Sequence, residues 1–413
     1  MIFLNNSLIY IIAFGAFLQL LVEVKSQISN PDLRYAHTAT LIDDKIYILG
    51  GAVPPRADNV ILPKESFLYL DVSTPFSTNN VNYIDISNIN GVPLSRYSIA
   101  VKGGANNSTL FLYGGESLGN QTKELVNTFD AQHNIWSAPK ITGDPPPQGK
   151  NFMFPAIDYN GGFYTFGGSF PYVNDMHVLD TINLSWKKFS SIGAPSVRDG
   201  YGAVFLPTKQ IIYMGGFGPN GLLPLNETTD GNIPTERAAF SAVLGLDGQS
   251  VIIFGGDSAI PLVEKLYVLD VNKFKWSVPG ISGKIPASRS FHRALVVGNY
   301  MVVTFGTGYV RENDNDILLL DISNKDGFVW TTSFVPPSLT SQSQSPTSQL
   351  PNQSSSHSNI NVIGVAIGVS IGVIGGIALT VGGFFLYKQY KNRKERSTAI
   401  PTPGNERINI KYA

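Results

Sequence analysis

Residues 234–276 read PTERAAFSAVLGLDGQSVIIFGGDSAIPLVEKLYVLDVNKFKW. Four signals follow one another in this stretch: Pro234 three residues before Arg237, an apolar run closing on the pair Gly255 and Gly256, a second apolar run closing on Asp270, and then Trp276. Apolar runs of this length suit strands buried on both faces. The glycine pair permits backbone conformations, or a close approach, that a Cβ would forbid. The Asp-to-Trp segment gives a turn and then an outer strand whose indole covers the edge.

The same order returns about every 50 residues between residues 31 and 335, a period that signals stacked supersecondary units. Six units begin with proline, two residues and a base: Pro31/Arg34, Pro93/Arg96, Pro147/Lys150, Pro195/Arg198, Pro234/Arg237 and Pro286/Arg289. The glycine pairs are Gly50 and Gly51, Gly114 and Gly115, Gly167 and Gly168, Gly215 and Gly216, Gly255 and Gly256. In unit six VTFGT, with Gly306, replaces the second glycine. The second apolar run closes on Asp71, Asp130, Asp180, Asp270 or Asp321, and Trp136, Trp186, Trp276 and Trp330 follow. With 41 glycines and 26 prolines, the composition fits many short strands and tight turns.

Two units depart from the pattern. Unit one has no tryptophan after Asp71, with Tyr83 the candidate substitute. Unit four lacks both the second apolar run and the tryptophan, so LLPLNETT (222–229) either supplies a rudimentary strand or leaves the ring locally open. The sequence begins with a blade's first strand and ends with a blade's last, so no split blade is expected.

The repeated motif strongly resembles the kelch repeat, over about 300 residues. The resemblance implies an all-β, kelch-type β-propeller of about six four-stranded blades, the fourth truncated.

Two hydrophobic segments add a topology. Residues 1–26 read as a secretion signal, with Leu8 to Val22 as its apolar stretch. Residues 360–387 read as one transmembrane helix, uncharged from Val362 to Tyr387. The basic tail 388–413 then places the C-terminus in the cytoplasm. The propeller, 27–335, is expected outside the membrane on a Ser/Gln/Pro-rich stalk, 336–359. Asn106, Asn107, Asn120, Asn183, Asn226 and Asn352 begin N-glycosylation sequons. Glycines at every fourth position from Gly364 to Gly376 offer a face for homodimerisation.

Lys plus Arg equals Asp plus Glu at 30 each, so no charge excess points to nucleic acid. Many secreted kelch propellers of fungi are similar to galactose oxidase, whose copper radical cofactor joins tyrosine to cysteine; with no cysteine that cofactor cannot form, nor can a disulfide or a thiolate metal site. No Ser-His-Asp grouping, P-loop or histidine metal motif has the context it needs. No catalytic, cofactor or metal residues are therefore nominated. His37 and His292, three residues after a motif arginine, read as strand residues filling a slot also held by Ile99, Met153, Tyr201 and Phe240. The acidic run 312–316 reads as a turn rather than a calcium loop.

Arg34, Arg96, Lys150, Arg198, Arg237 and Arg289 recur once per blade, and form the candidate ligand face for carboxylates or sulfates. The alternative is that they pair within each blade. The expected function is recognition or adhesion at the cell surface, toward an extracellular protein or glycan. The alternatives are a tethered sugar-modifying enzyme, resembling kelch mutarotases or lyases, and a polarity landmark, resembling fungal single-span proteins with galactose-oxidase-like ectodomains.

Overall fold

The computed structural model describes residues 26–340 apart from 29, 57–59, 119–123, 170–171, 226–228 and 263–264. The signal, the membrane segment and the tail (360–413), together with Asn120, Asn226 and Asn352, lie outside or almost wholly outside the described residues. Among the described residues no helix is long and apolar enough to cross a membrane.

Each repeat unit folds as an antiparallel sheet whose innermost strand starts just after the motif base. Unit one contains Thr38–Ile42, Lys45–Leu49, Phe67–Asp71 and Tyr83–Asp85. Unit two contains Ile99–Gly103, Thr109–Tyr113, Val126–Asp130 and Ile135–Ser137. Units three, five and six carry the same four strands, ending at Ser185–Phe189, Lys275–Ser277 and Phe328–Thr331. In these three the incoming chain adds a short fifth strand parallel to the outermost one, as when Thr142–Gly143 pairs with Ser185 and Trp186.

Unit four differs. It has only Gly202–Phe205 paired with Ile211–Met214, followed by the small hairpin Phe217–Gly218 and Gly221–Leu222. The expectation of about six four-stranded blades is thus corrected to five full blades and one two-stranded sector. The cause is the missing apolar run after Gly216. No strand forms over the described part of 223–229, yet the sector is filled: Leu225 is buried with Met214, Val204, Phe240 and Trp276. The Trp276 indole donates to the Leu225 carbonyl and lies 3.1 Å from Thr229 Oγ1.

Alternation puts both faces of every full blade to use. In Lys45–Leu49, Ile46 and Ile48 pack toward unit six with Val302 and Leu319, whereas Tyr47 and Leu49 pack toward unit two with Leu110 and Leu112. The tryptophan rule has a structural counterpart in register. Trp136, Trp186, Trp276 and Trp330 lie opposite Phe129, Leu179, Leu269 and Leu320, each the residue before the closing Asp. Tyr83 lies opposite Leu70, before Asp71, and so holds the same place in unit one. The closing acids cap the following turn: Asp180 Oδ1 accepts from the N–H groups of Ile182 and Asn183, and Asp270 Oδ1 from those of Asn272 and Lys273.

Two cycles of backbone hydrogen bonds close the ring. The second glycine of each unit donates to the next unit: Gly51 to Ser95, Gly115 to Lys150, Gly168 to Arg198, Gly216 to Arg237, Gly256 to Arg289 and Gly306 to Arg34, at 2.9–3.0 Å. Nearer the axis Ala36 donates to Phe291, Phe291 to Ala239, Ala239 to Gly200, Gly200 to Phe152, Phe152 to Tyr97 and Tyr97 to Ala36. All six of these residues have φ between 54 and 59°, an uncommon conformation for the five that are not glycine. The ring of bonds holds them there.

The two cycles also fix the register of two units. Gly306 occupies the second-glycine position, so unit six replaces the first glycine, with Phe305 at φ 45°. In unit two Ser95, rather than Arg96, occupies the place of the motif base. No full blade is split between the chain ends. Instead Ser333–Phe334 pairs with Phe76–Ser77 of unit one, and the Phe76 and Phe334 rings stack at 4.8 Å.

Candidate functional site

The six motif bases do not share one surface. Arg34, Lys150, Arg198, Arg237 and Arg289 are buried. Three of the guanidinium groups reach backbone carbonyls at the glycine turns: Arg198 Nη1 donates to Gly215 O at 3.2 Å, Arg237 Nη1 to Gly255 O at 3.0 Å and Arg289 Nη1 to Phe305 O at 3.3 Å. Arg34 Nη1 donates to Glu65 O at 2.7 Å. Lys150 pairs with Asp175, and Arg289 with Asp314 at 3.1 Å. Burial pulls the Arg34 and Arg237 guanidinium groups down to about 10, which still leaves them charged at neutral pH. These five side chains bolt strands together inside their blades.

Arg96 alone stands apart, because of the one-residue register shift in unit two. Its side chain is 18% exposed, and its Nε donates to Glu116 Oε2 at 2.7 Å. It borders a cavity of about 420 Å³ at the mouth of the ring, lined by Arg56, Tyr97, Asn151, Phe152, Tyr172 and Asp199 among others. The floor is made by the inner hydrogen-bonded cycle, which presents Tyr97, Phe152 and Phe291. Phe152 and Phe291 stack at 5.1 Å, and Tyr97 leans on Phe152 at 5.2 Å. The walls come from the residue after each motif base, bridged to the residue after each glycine pair: Arg96 to Glu116, Asn151 to Ser169 and Asp199 to Phe217.

Two polar features shape this mouth. Arg56, from a loop of unit one, crosses it: its guanidinium lies 4.1 Å from the Phe291 ring centre and 3.3 Å from Asp257 Oδ2. Asp199 is only 4% exposed, and burial raises its carboxyl to about 6, against the opposing effect of Ser169 and Tyr172 beside it. Among the described residues its Oδ1 has no hydrogen-bond partner, and neither has Asn151 Oδ1.

The other expected positions are structural. His37 Nε2 lies 2.8 Å from Thr304 Oγ1, and His292 Nε2 lies 2.8 Å from Ser241 Oγ, each joining neighbouring blades. Burial holds both imidazoles low, His292 at about 3, so both are neutral at physiological pH. In the acidic run, Asp314 is engaged by Arg289 and Asp316 by Arg311 and Tyr309. Of the sequons, Asn106, Asn107 and Asn183 are exposed.

Arg293 was not singled out by the sequence. It is buried, donating through Nε to His37 O at 3.0 Å and through Nη2 to Ser98 O at 3.3 Å, with the Phe154 ring 4.4 Å from its guanidinium. One side chain of unit six thus ties units one, two and three.

This ring of radial sheets with an aromatic-floored mouth defines a β-propeller of the kelch class. A family model described as the KLHDC2/KLHL20/DRC7 Kelch-repeats domain matches residues 36–228 and 224–364, and the chain belongs to this kelch-repeat family. Acyl-CoA-binding domain-containing protein 4 of Arabidopsis thaliana is 27% identical over 319 residues, 72% of this chain and 46% of that protein. Kelch domain-containing protein 3 of Homo sapiens is 30% identical over 179 residues, 42% of this chain and 37% of that protein. Host cell factor 1 of Homo sapiens is 25% identical over 219 residues, 44% of this chain and 10% of that protein. The chain therefore spans less than half the length of these curated relatives. The solved structure of YjhT covers 73% of this chain and 99% of its own, with a TM-score of 0.52 and 14% identity, a likeness of fold alone. Kelch propellers generally serve as scaffolds that bind protein partners.

Proposed function

We propose that the protein is a membrane-tethered recognition head whose propeller mouth grips a segment of an extracellular protein or a glycan. The observation that carries this reading is the mouth cavity: an aromatic floor of Tyr97, Phe152 and Phe291 ringed by the Arg96–Glu116 pair, Arg56 and Asp199. Flat rings take apolar or carbohydrate faces, and a few oriented polar groups fix direction. The tether rests on the sequence of residues 360–396, and export on residues 1–26 and the sequons.

The test presents the full-length protein, in detergent, to arrays of peptides and glycans, beside a Phe152→Ala variant. Binding that drops at least tenfold in the variant supports the mouth as the recognition surface. Equal binding by both proteins would remove it. Export is read separately from an endoglycosidase-sensitive mobility shift that disappears when all six sequon asparagines, Asn106, Asn107, Asn120, Asn183, Asn226 and Asn352, are replaced by Gln.

A second reading has one specific observation in its favour. The buried Asp199 carboxyl, near half-protonation at about pH 6, has the character of a general acid for a sugar-modifying enzyme. Turnover of common sugars by the full-length protein, lost in Asp199→Asn, would establish it.

A further inference from the structure

The mouth contains an imbalance between what it offers and what it satisfies. Both of its positively charged groups are engaged: Arg96 by Glu116 and by the Tyr35 hydroxyl, and Arg56 by Asp257. The unsatisfied groups are acceptors. Asp199 Oδ1 and Asn151 Oδ1 lie in the cavity wall without a partner among the described residues, and Asp199 is more than nine-tenths buried. A buried carboxylate oxygen with no donor is costly, and the ligand that relieves it brings a donor and a positive charge.

The floor fits the same ligand. Aromatic faces attract cations, and Arg56 already lays its guanidinium on Phe291 at 4.1 Å. The remaining floor, Phe152 with Phe217 beside it at 6.3 Å, borders Asp199 in the same cavity. That leaves one place where a second cation meets both an aromatic face and the open Oδ1 of a carboxylate that Ser169 and Tyr172 hydrogen-bond but no cation pairs among the described residues.

We propose that the mouth binds a basic side chain of its protein partner, a lysine ammonium or an arginine guanidinium, between Asp199 and the Phe152/Phe217 face. This rests on the reading of the mouth as a recognition surface and names the chemistry it selects, which is the reverse of the acidic ligand expected from the ring of motif bases. The groups facing Asp199 are Ser169 and Tyr172 beside it, Arg198 preceding it in the chain, and Arg96, Glu116 and Arg56 around the cavity. Because burial already raises the Asp199 carboxyl to about 6, its charge, and with it the affinity for a cation, falls as pH drops from 7 to 5.

The experiment titrates the full-length protein with the N-acetyl methylamides of arginine and lysine, with that of citrulline as the neutral isostere, and with spermidine as a free amine. The expected result is at least tenfold tighter binding of the arginine or lysine derivative than of citrulline, abolished in Asp199→Asn and weakened at least fivefold at pH 5 in the unaltered protein. The pH series needs no variant, so a misfolded Asp199→Asn leaves the question decidable. Equal binding of citrulline, or affinity insensitive to both pH and Asp199, overturns the assignment. Spermidine binding tighter than either amino-acid derivative overturns the protein source of the cation. An array peptide that binds through Phe152 but tolerates replacement of its lysines and arginines sinks this inference and leaves the recognition reading intact.

Discussion

The N–H of Gly306 donates to the carbonyl of Arg34 at 2.9 Å, joining the last unit of the propeller to the first with the same bond that joins every other neighbouring pair. The seam is therefore no weaker at the axis than any other blade boundary. At the rim it is reinforced by the strand pair Phe76–Ser77 and Ser333–Phe334.

Phe334 is the core of that rim latch, buried against Phe76 and the Tyr300 ring. Phe334→Ala removes a buried aromatic at the seam, and the expected cost is about 3–4 kcal/mol. Urea unfolding of the full-length protein checks this as a lower midpoint. A conservative Phe334→Leu should recover more than half of the loss.

Arg237 and Arg96 should separate stability from recognition. Arg237→Ala strips the Gly255 and Thr235 carbonyls of their donor and empties a buried site, so a loss of about 3 kcal/mol is expected, with mouth binding unchanged in the folded fraction. Arg96→Met breaks a part-exposed ion pair, with less than about 1 kcal/mol at stake, and changes the mouth itself. Its expected signature is altered ligand affinity at nearly constant unfolding midpoint.

His37 and His292 make the propeller sensitive to acid. Their folded-state affinities for protons lie below the ordinary histidine value, His292 at about 3, whereas the unfolded chain binds a proton near 6.5. The unfolded state thus takes up more protons, so the stability contributed by the two neutral imidazoles is present above about pH 6.5 and is lost as pH falls below it, for His292 down to about pH 3. Asp199 works in the opposite sense between about pH 4 and 6, because its raised carboxyl makes the folded state the better proton binder there. Unfolding midpoints measured from pH 7 to 4 should decline for the unaltered protein. The decline should be shallower in His292→Phe, which places at this position the residue unit five carries as Phe240.

Tyr83 fills the tryptophan position of unit one, but its hydroxyl is buried without a hydrogen-bond partner among the described residues. Tyr83→Phe removes that oxygen and keeps the ring. The expected result is an unfolding free energy unchanged or raised by up to about 1 kcal/mol, where an ordinary core truncation would lower it.

Much of this architecture could be read from residues 234–276 and their repeats, because glycine pairs, closing acids and indoles mark places where a side chain of another kind would not fit the turn or the edge. The shortage after Gly216 was equally legible as two missing strands. What spacing could not show was direction. Arg96 satisfies the same proline-to-base interval as Arg237, yet Ser95 takes the bonded position and turns Arg96 toward the mouth. The burial of Arg198 and Arg237 depends on carbonyls at glycine turns some seventeen residues away, a match between backbone groups that has no trace in composition. Asp199 and Asn151 each follow a motif base directly, but their meeting in one cavity is a product of ring closure. Arg293, next to His292 in the chain, gains its role only where ring closure brings the His37 and Ser98 carbonyls to it.

The seam between units six and one has a consequence for synthesis. Ile46, Ile48, Leu68 and Leu70 of unit one find their cover in Val302, Ile317, Leu319 and Phe334, some 250 residues later in the chain. A ribosome releasing this protein from its N-terminus therefore exposes one oily flank of the first blade throughout the making of the other five sectors. That flank is where a folding helper would hold the nascent chain, and where two half-made copies would stick together if none did.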